Sequence, residues 1–292
     1  LTGIGNYTGT KTQGFTIAKA TTDITDGNNA AHADITVTFG DSDLTLTPSS
    51  ENTANYTFTV DPLDSSVVNI TTTSTNTAEI RNVGVGSAVI NISQGSDDNH
   101  LAKTVSYTIN VIPMPIRVTP TSTQSKTYGE IDPIFTYDTN PSGTLSNSSA
   151  VTFTGSLSRA INDSSQNVGT YSITIGTLTN TNYNITLTEV DFTINKLPVT
   201  VVADTQTKTF GDADPKFTYT VSPAINTTLA NSSTITFTGT LSRTAGQEDV
   251  GSYPIGIGAL TNTNYNITYT PSNLSITAKP ITIIPTSSLS KT

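Results

Sequence analysis

Cysteine and tryptophan are absent from the 292 residues, methionine occurs once and histidine twice. Without cysteine there is no disulfide framework and no thiolate for metal binding or nucleophilic chemistry. The compartment stays open, because exported stalks also manage without disulfides. The two histidines, His32 and His100, leave little for acid–base catalysis. A Ser96, Asp97 and His100 set is the best that can be drawn, and neighbours in one polar loop rarely reach the geometry that proton relay needs. Charge is scarce too, at 12% of residues, and the net −9 disfavours nucleic acid or an anionic membrane as partner. No stretch of 18 apolar residues is present to read as a membrane helix, and no charged-then-apolar leader. A glycine-rich phosphate loop ahead of a helix is also missing.

What remains is rich in threonine, serine and asparagine, with 34% apolar residues that alternate rather than scatter. Threonine favours strands while keeping a polar surface, so the composition predicts an all-β protein with small cores. In the stretch 20–112, alternation predicts strands at 35–39, 44–47, 56–60, 67–70, 78–81, 88–92 and 105–111. Short strands at such spacing, with turn residues between them, indicate a sandwich of two antiparallel sheets. No segment carries a helical period; 147–150 and 160–165 are the best places for a helical turn and read more like loops.

The chain is organised around a repeat. Lys126-Thr127-Tyr128-Gly129-Glu130-Ile131-Asp132-Pro133 returns 82 residues later as Lys208-Thr209-Phe210-Gly211-Asp212-Ala213-Asp214-Pro215, and its first half stands upstream as Thr38-Phe39-Gly40-Asp41-Ser42-Asp43. An aromatic-Gly-acidic string between alternating runs is a turn: glycine takes positive φ, the acidic side chains bond nearby amides, and proline excludes a central-strand position. Further blocks repeat as well. Phe153-Thr154-Gly155-Ser156-Leu157-Ser158-Arg159 returns 84 residues on, and Asn182-Tyr183-Asn184-Ile185-Thr186 returns at 82, so two residues have been inserted and later cancelled. Length changes of that kind belong in loops. A period near 80 residues suits a string of complete small domains rather than a solenoid.

The expected organisation is therefore 1–19 as the closing strands of a preceding module, 20–112 as an odd module, 113–196 and 197–279 as repeats, and 280–292 as the opening strand of a following module. Joints such as Ile112-Pro113-Met114-Pro115 and Asn195-Lys196-Leu197-Pro198 are short and contain proline, which restrains its own φ and its predecessor. Modules joined this way are expected to form an extended rod of tandem Ig-like β-sandwiches.

The stretch 113–279 resembles the YGX-type MBG repeats of large bacterial surface proteins. Tyr128-Gly129 and Phe210-Gly211 stand at the naming motif, with Leu157-Ser158-Arg159, Val168-Gly169 and Asn182-Tyr183 and their copies following. The phrase Val83-Gly84-Val85-Gly86-Ser87-Ala88-Val89-Ile90-Asn91-Ile92 resembles the late strands of bacterial Ig-like modules of the second group. The resemblance implies exported, non-catalytic modules of adhesins and other giant cell-surface chains.

Calcium is the one cofactor with candidate ligands: the acidic pairs Asp41 and Asp43, Glu130 and Asp132, and Asp212 and Asp214 occupy equivalent turns. Loop carboxylates near domain joints bind calcium in many extracellular rods, although two are fewer than its six to eight ligands require. An internal Lys-to-Asn isopeptide bond would need a buried lysine, an asparagine and a carboxylate together. Glycan binding would need an exposed aromatic groove, whereas Tyr137, Tyr171, Tyr219 and Tyr253 sit at strand positions where packing explains them. The leading expectation is a non-enzymatic, extracellular stalk segment whose partners are its neighbouring modules. The alternatives are a module that grips a glycan or protein receptor, most naturally through 20–112, and a filament subunit. In the last case a strand such as 281–284 would complete a neighbour's sheet.

Overall fold

The computed structural model describes residues 8–26, 32–160 and 166–284. Contacts group the chain into two compact units. The first comprises Leu1–Thr119, Asp138–Gly155 and Thr177–Thr188, and the second Pro120–Tyr137, Ser156–Gly176 and Glu189–Thr292.

In the first unit, the alternating runs become strands Ile35–Thr38, Leu44–Leu46, Tyr56–Val60, Val68–Ser74, Thr77–Asn82, Gly86–Gln94 and Lys103–Ile112. Four of them form one sheet, in the order Ile35–Thr38, Lys103–Ile112, Gly86–Gln94, Tyr56–Val60; three form another, in the order Leu44–Leu46, Thr77–Asn82, Val68–Ser74. Period-two burial follows from the pleat: Ala88, Ile90 and Ile92 point inward and are fully buried, while Ser87 and Val89 face out. One ladder departs from the antiparallel expectation, because Ile35–Thr38 pairs parallel to Lys103–Ile112 with Ile35 opposite Ile109. Among the described residues a helical turn forms away from 147–150. It is a 3₁₀ turn at Pro62–Asp64, with the Asp61 carboxylate accepting from the Leu63 amide and proline at its start, so a capping acid followed by proline was the missed signal. Residues 147–150 form a turn and bridge, and 161–165 lie outside the described residues. The first unit also carries the sheet Tyr137–Asn140, Met114–Pro120, Tyr183–Leu187, in which Met114 pairs parallel with Tyr183.

The second unit repeats this plan. Leu197–Ala203 lies between Tyr219–Ser222 and Tyr265–Thr270, parallel to the latter with Leu197 opposite Tyr265, the counterpart of the Met114–Tyr183 register. The other two sheets run Gln206–Thr209, Ser272–Thr277, Gly251–Ile255, and Ser125–Thr127, Asp191–Asn195, Gly169–Thr174, Ser158–Arg159. Phe135 meets Phe192 edge-on at 5.1 Å, with Ile173 and Ile194 also buried in this unit.

The two ends, where closing and opening strands are expected, are described in part. Residues 281–284 carry no strand, and Ile281, Ile283 and Ile284 are exposed. In both complete repeats the opening strand pairs with a strand almost 70 residues downstream. Of the closing strands expected in 1–19, residues 1–7 lie outside the described residues. Residues 8–19 carry only a bridge at Thr10, with Phe15 and Ile17 exposed.

Candidate functional site at the module joints

Each copy of the repeated motif folds as the same turn. The amides of Asp41, Glu130 and Asp212 donate to the carbonyls of Thr38, Thr127 and Thr209 at 3.1, 3.1 and 3.0 Å. The glycine two residues along from each threonine has φ +92, +94 and +87, the type II geometry that a side chain disfavours. The acidic residue closes the turn from its side chain in the first two copies: the Thr38 amide donates to Asp41 Oδ2 at 2.8 Å and the Thr127 amide to Glu130 Oε2 at 2.7 Å.

These turns meet the next module, and do so twice with equivalent residues. In the first unit, the Gly40 carbonyl accepts from the Asn147 amide at 3.3 Å, and a Cβ on Gly40 would stand 2.8 Å from Leu145 Cδ1. In the second unit, the Gly129 carbonyl accepts from the Asn231 amide at 2.9 Å, and a Cβ on Gly129 would stand 2.5 Å from Leu229 Cδ1. The turn aromatics follow suit. Phe39 contacts Tyr183 edge-on at 5.7 Å, and Tyr128 contacts Tyr265 edge-on at 5.9 Å. A second pair of loops completes each joint, with the Val85 amide donating to Asn182 Oδ1 at 3.0 Å and the Val168 amide to Asn264 Oδ1 at 2.9 Å. The same asparagines accept, through their backbone carbonyls, the amides of Met114 and Leu197 that open each new strand, both at 3.0 Å.

The two joints differ in polar detail. The first buries Asn82 and Asn147 together, with Asn147 Nδ2 donating to Asn82 O and Oδ1 at 2.8 Å each and Asn82 Oδ1 accepting the Gly40 amide at 2.9 Å. Arg81 Nε adds a bond to the Asn147 carbonyl at 2.6 Å. The apolar core runs through this joint, since Ile116, Leu145 and Tyr183 belong to the same buried cluster as Ile90 and Ile109. Burying one such leucine is worth about 1.5–3 kcal/mol.

Behind each repeat's turn lies an ionic cluster that the sequence reading did not foresee. Lys126 Nζ is 2.7 Å from Asp132 Oδ1, and Arg159 Nε is 2.7 Å from Asp132 Oδ2, with both cationic side chains almost fully buried. Lys126 also donates to the Glu130 carbonyl at 2.8 Å and to Gln166 Oε1 at 3.1 Å, so it ties the turn to its own module. In the next copy, Lys208 lies 2.8 Å from Asp214 Oδ1 and Arg243 grips Asp214 with Nε at 2.7 Å and Nη2 at 2.9 Å. Glu248, standing where the earlier copy has Gln166, pairs with both cations. Arg159 and Arg243 stack over Tyr171 and Tyr253 at 5.1 and 5.8 Å. Burial alone would raise the Asp132 carboxyl, but the hydrogen bonds from Lys126 and Arg159 prevail and hold it below the usual carboxylate value. The Arg243 fork, assisted by Lys208 and opposed by burial, holds Asp214 at about 2. Asp214 and Glu248 in turn raise Lys208.

The six carboxylates of the expected calcium pairs thus have distinct placements. Asp41 and Glu130 cap their turns, Asp132 and Asp214 hold two cations each, and Asp43 and Asp212 are exposed. Among the described residues no three or more His, Asp or Glu side chains are grouped to hold a metal ion. A buried lysine beside a carboxylate does occur, at Lys126 and Lys208, with the Gln166 amide and the Glu248 carboxylate as further neighbours. Asp97 and His100 are in contact at 3.0 Å. Asp97 mainly serves the backbone, accepting the amides of Thr53, Asn99 and His100 at 2.8, 2.8 and 2.6 Å; the Thr53 bond leads in pulling its carboxyl below the ordinary range. Tyr171 and Tyr253 spend their hydroxyls on the carbonyls of Asn167 and Asp249, four residues back. Among the described residues no helix is long and apolar enough to cross a membrane.

Comparison with known proteins agrees with the repeat. The sequence matches the MBG domain (YGX type) over residues 116–193 and 199–275. No curated protein matches it. Among solved structures, the I67–I69 fragment of the titin I-band aligns with 91% of this chain and 100% of its own at 10% identity and a TM-score of 0.27. The N-terminal eight Ig domains of Down Syndrome Cell Adhesion Molecule align over 91% of this chain and 37% of theirs, at 13% identity and a TM-score of 0.33. Domains 4–9 of surface layer protein SbsC align over 87% and 49%, at 12% identity and a TM-score of 0.23. At these scores the alignments support no inference about function. The repeated turn, the Arg-bearing strand behind it and the Asn-Tyr loop all fall within or beside two matched copies that span more than half of the 292 residues, and the chain belongs to the MBG domain (YGX type) family.

Proposed function

We propose that this chain is a spacer segment of a large, repetitive bacterial cell-surface adhesin or extracellular fibre, and that its work is reach and stiffness rather than chemistry. The observation that carries the reading is the joint made twice by equivalent residues. The Gly40 turn seats on Leu145 and Asn147, and the Gly129 turn on Leu229 and Asn231. A joint fixed by a backbone hydrogen bond, an aromatic contact and a close glycine approach resists swing, which a flexible linker of the same length does not. Small-angle scattering of the whole chain tests the proposal. A spacer gives a cross-section of one module and a maximum dimension that grows by about 30 Å for each added repeat. A profile in which added repeats thicken the particle without lengthening it rejects the reading.

Calcium at the turn carboxylates is a companion proposal, since Asp43 and Asp212 are exposed beside occupied turns. Melting temperatures in calcium and in chelator decide it: a ligand that binds only the folded chain raises the midpoint with concentration, and superimposable curves dismiss it.

A further inference from the structure

The motif occurs three times, and its third copy is the one whose turn is uncovered. Phe39 and Tyr128 are 3% and 8% exposed, whereas Phe210 is 45% exposed. A Cβ on Gly40 or Gly129 would strike a leucine, yet one on Gly211 would meet nothing within 4 Å. The companion loop behaves alike, for Val85 and Val168 are half-buried at their joints while Val250 is 59% exposed. The fold of the third turn is nonetheless the same, with the Asp212 amide on the Thr209 carbonyl and glycine at φ +87. An exposed aromatic, an exposed valine and a preformed left-handed glycine thus share one end of the second unit.

We infer that Phe210, Gly211 and Val250 form a docking face for a further repeat, one that offers a Leu-x-Asn-Ser-Ser loop and a Thr-Asn-Thr-Asn-Tyr loop. The occupant follows from the two joints already made. In both, the leucine packs on the turn glycine, the asparagine amide after it donates to the glycine carbonyl, and the tyrosine of the second loop meets the turn aromatic. Among the described residues a second copy of this chain has neither loop free: Leu145 and Leu229 are seated on Gly40 and Gly129, and Asn182 and Asn264 already accept the Val85 and Val168 amides. Residues 279–284, Lys-Pro-Ile-Thr-Ile-Ile, repeat the pattern of 197–202, Leu-Pro-Val-Thr-Val-Val, the strand that leads into the module docked on Tyr128 and Gly129. The face is therefore specific for the repeat's own loops. The inference stands on joint geometry and does not depend on the spacer reading.

The test inserts a second copy of residues 197–278 between Ala278 and Lys279 and places Val250→Cys in the original copy alone. Since the chain has no other cysteine, a thiol reagent reads that one position. Labelling is expected to be fast in the 292-residue chain and about 10-fold or more slower in the extended one. The protection should vanish when the inserted copy carries Leu229→Asp. Phe210→Trp provides a second readout, because the chain has no other tryptophan: its emission should shift to the blue, and its quenching fall, only in the extended chain. Unchanged labelling and emission, with the inserted copy folded by its own melting transition, would overturn the inference. Protection already present in the unextended chain, together with a doubled mass in light scattering, would also overturn it by assigning the face to a second copy. Scattering judges the spacer reading separately, so a compact particle with a protected Cys would sink that reading and leave this one standing.

Discussion

At Gly129 two demands coincide: a φ of +94 and a leucine where a Cβ would go, with Leu229 Cδ1 only 2.5 Å from that position. At Gly211 the first demand stands alone. Gly129→Ala is therefore expected to cost about 3 kcal/mol, from backbone strain plus overpacking, and Gly211→Ala only the strain, about 1 kcal/mol. Urea unfolding of the two variants measures the difference, and equal losses would mean that the glycine serves the turn and not the joint. Arg159 offers a second residue-scale test. Its side chain is fully buried against Asp132, so Arg159→Leu leaves that carboxylate with Lys126 alone and is expected to cost about 2 kcal/mol or more, reduced from the fully buried case because Asp132 is partly exposed. Recovery of stability in Arg159→Leu combined with Asp132→Asn would show the loss to come from the stranded charge. The glycine was legible in the sequence from its neighbours. The role of Arg159 was not, since a repeated arginine in an alternating strand looks the same whether it points to water or to a buried acid.

At the scale of elements, the ionic cluster pins a turn to a strand and a loop, and its strength depends on pH. The Asp214 carboxyl is held at about 2 in the folded chain against 3.8 when unperturbed. Its contribution to stability is complete above the unfolded value and disappears as pH falls through the folded one. Stability of the second unit is accordingly expected to decline between about pH 4 and pH 2, more steeply than in Asp214→Asn, as followed by chemical denaturation at stepped pH. A flat profile in both would remove the cluster from the energetics. The loops respond to sequence in a related way. The two-residue insertion falls between Pro223 and Leu229, in the very loop that reaches the joint, so the added length is absorbed without moving Leu229 off Gly129. Asn182→Ala removes the acceptor of the Val85 amide at 3.0 Å and is expected to cost about 1 kcal/mol; Asn180, whose side chain bonds the Thr152 carbonyl and accepts the Asn182 amide at 2.9 Å, holds that loop in place, so Asn180→Ala is expected to weaken the joint as well.

For the molecule as a whole, stability should pass from one module to its neighbour. Leu145 lies in the same buried cluster as Ile109 and Val111, so Leu145→Ala is expected to lower amide protection in the strand Lys103–Ile112 by about 10-fold or more, although the substitution is made in the following module. Exchange measured strand by strand checks this, and a loss confined to residues beyond 113 would show the modules to be independent.

The all-β class, the strands of 20–112 and the repeat with its glycine turn could be read from alternation and spacing, because those signals are local: a pleat buries every second side chain and a left-handed turn admits glycine. Only the tertiary structure decided what the turn is for. The Gly129 turn and the Leu229 loop lie 100 residues apart, the parallel pairing of Met114 with Tyr183 spans almost 70, and the cations on Asp132 come from either side of it in sequence. A contact between surfaces that each read as polar loop leaves no period in the chain, so the joint came into view only when the distant loops were brought together.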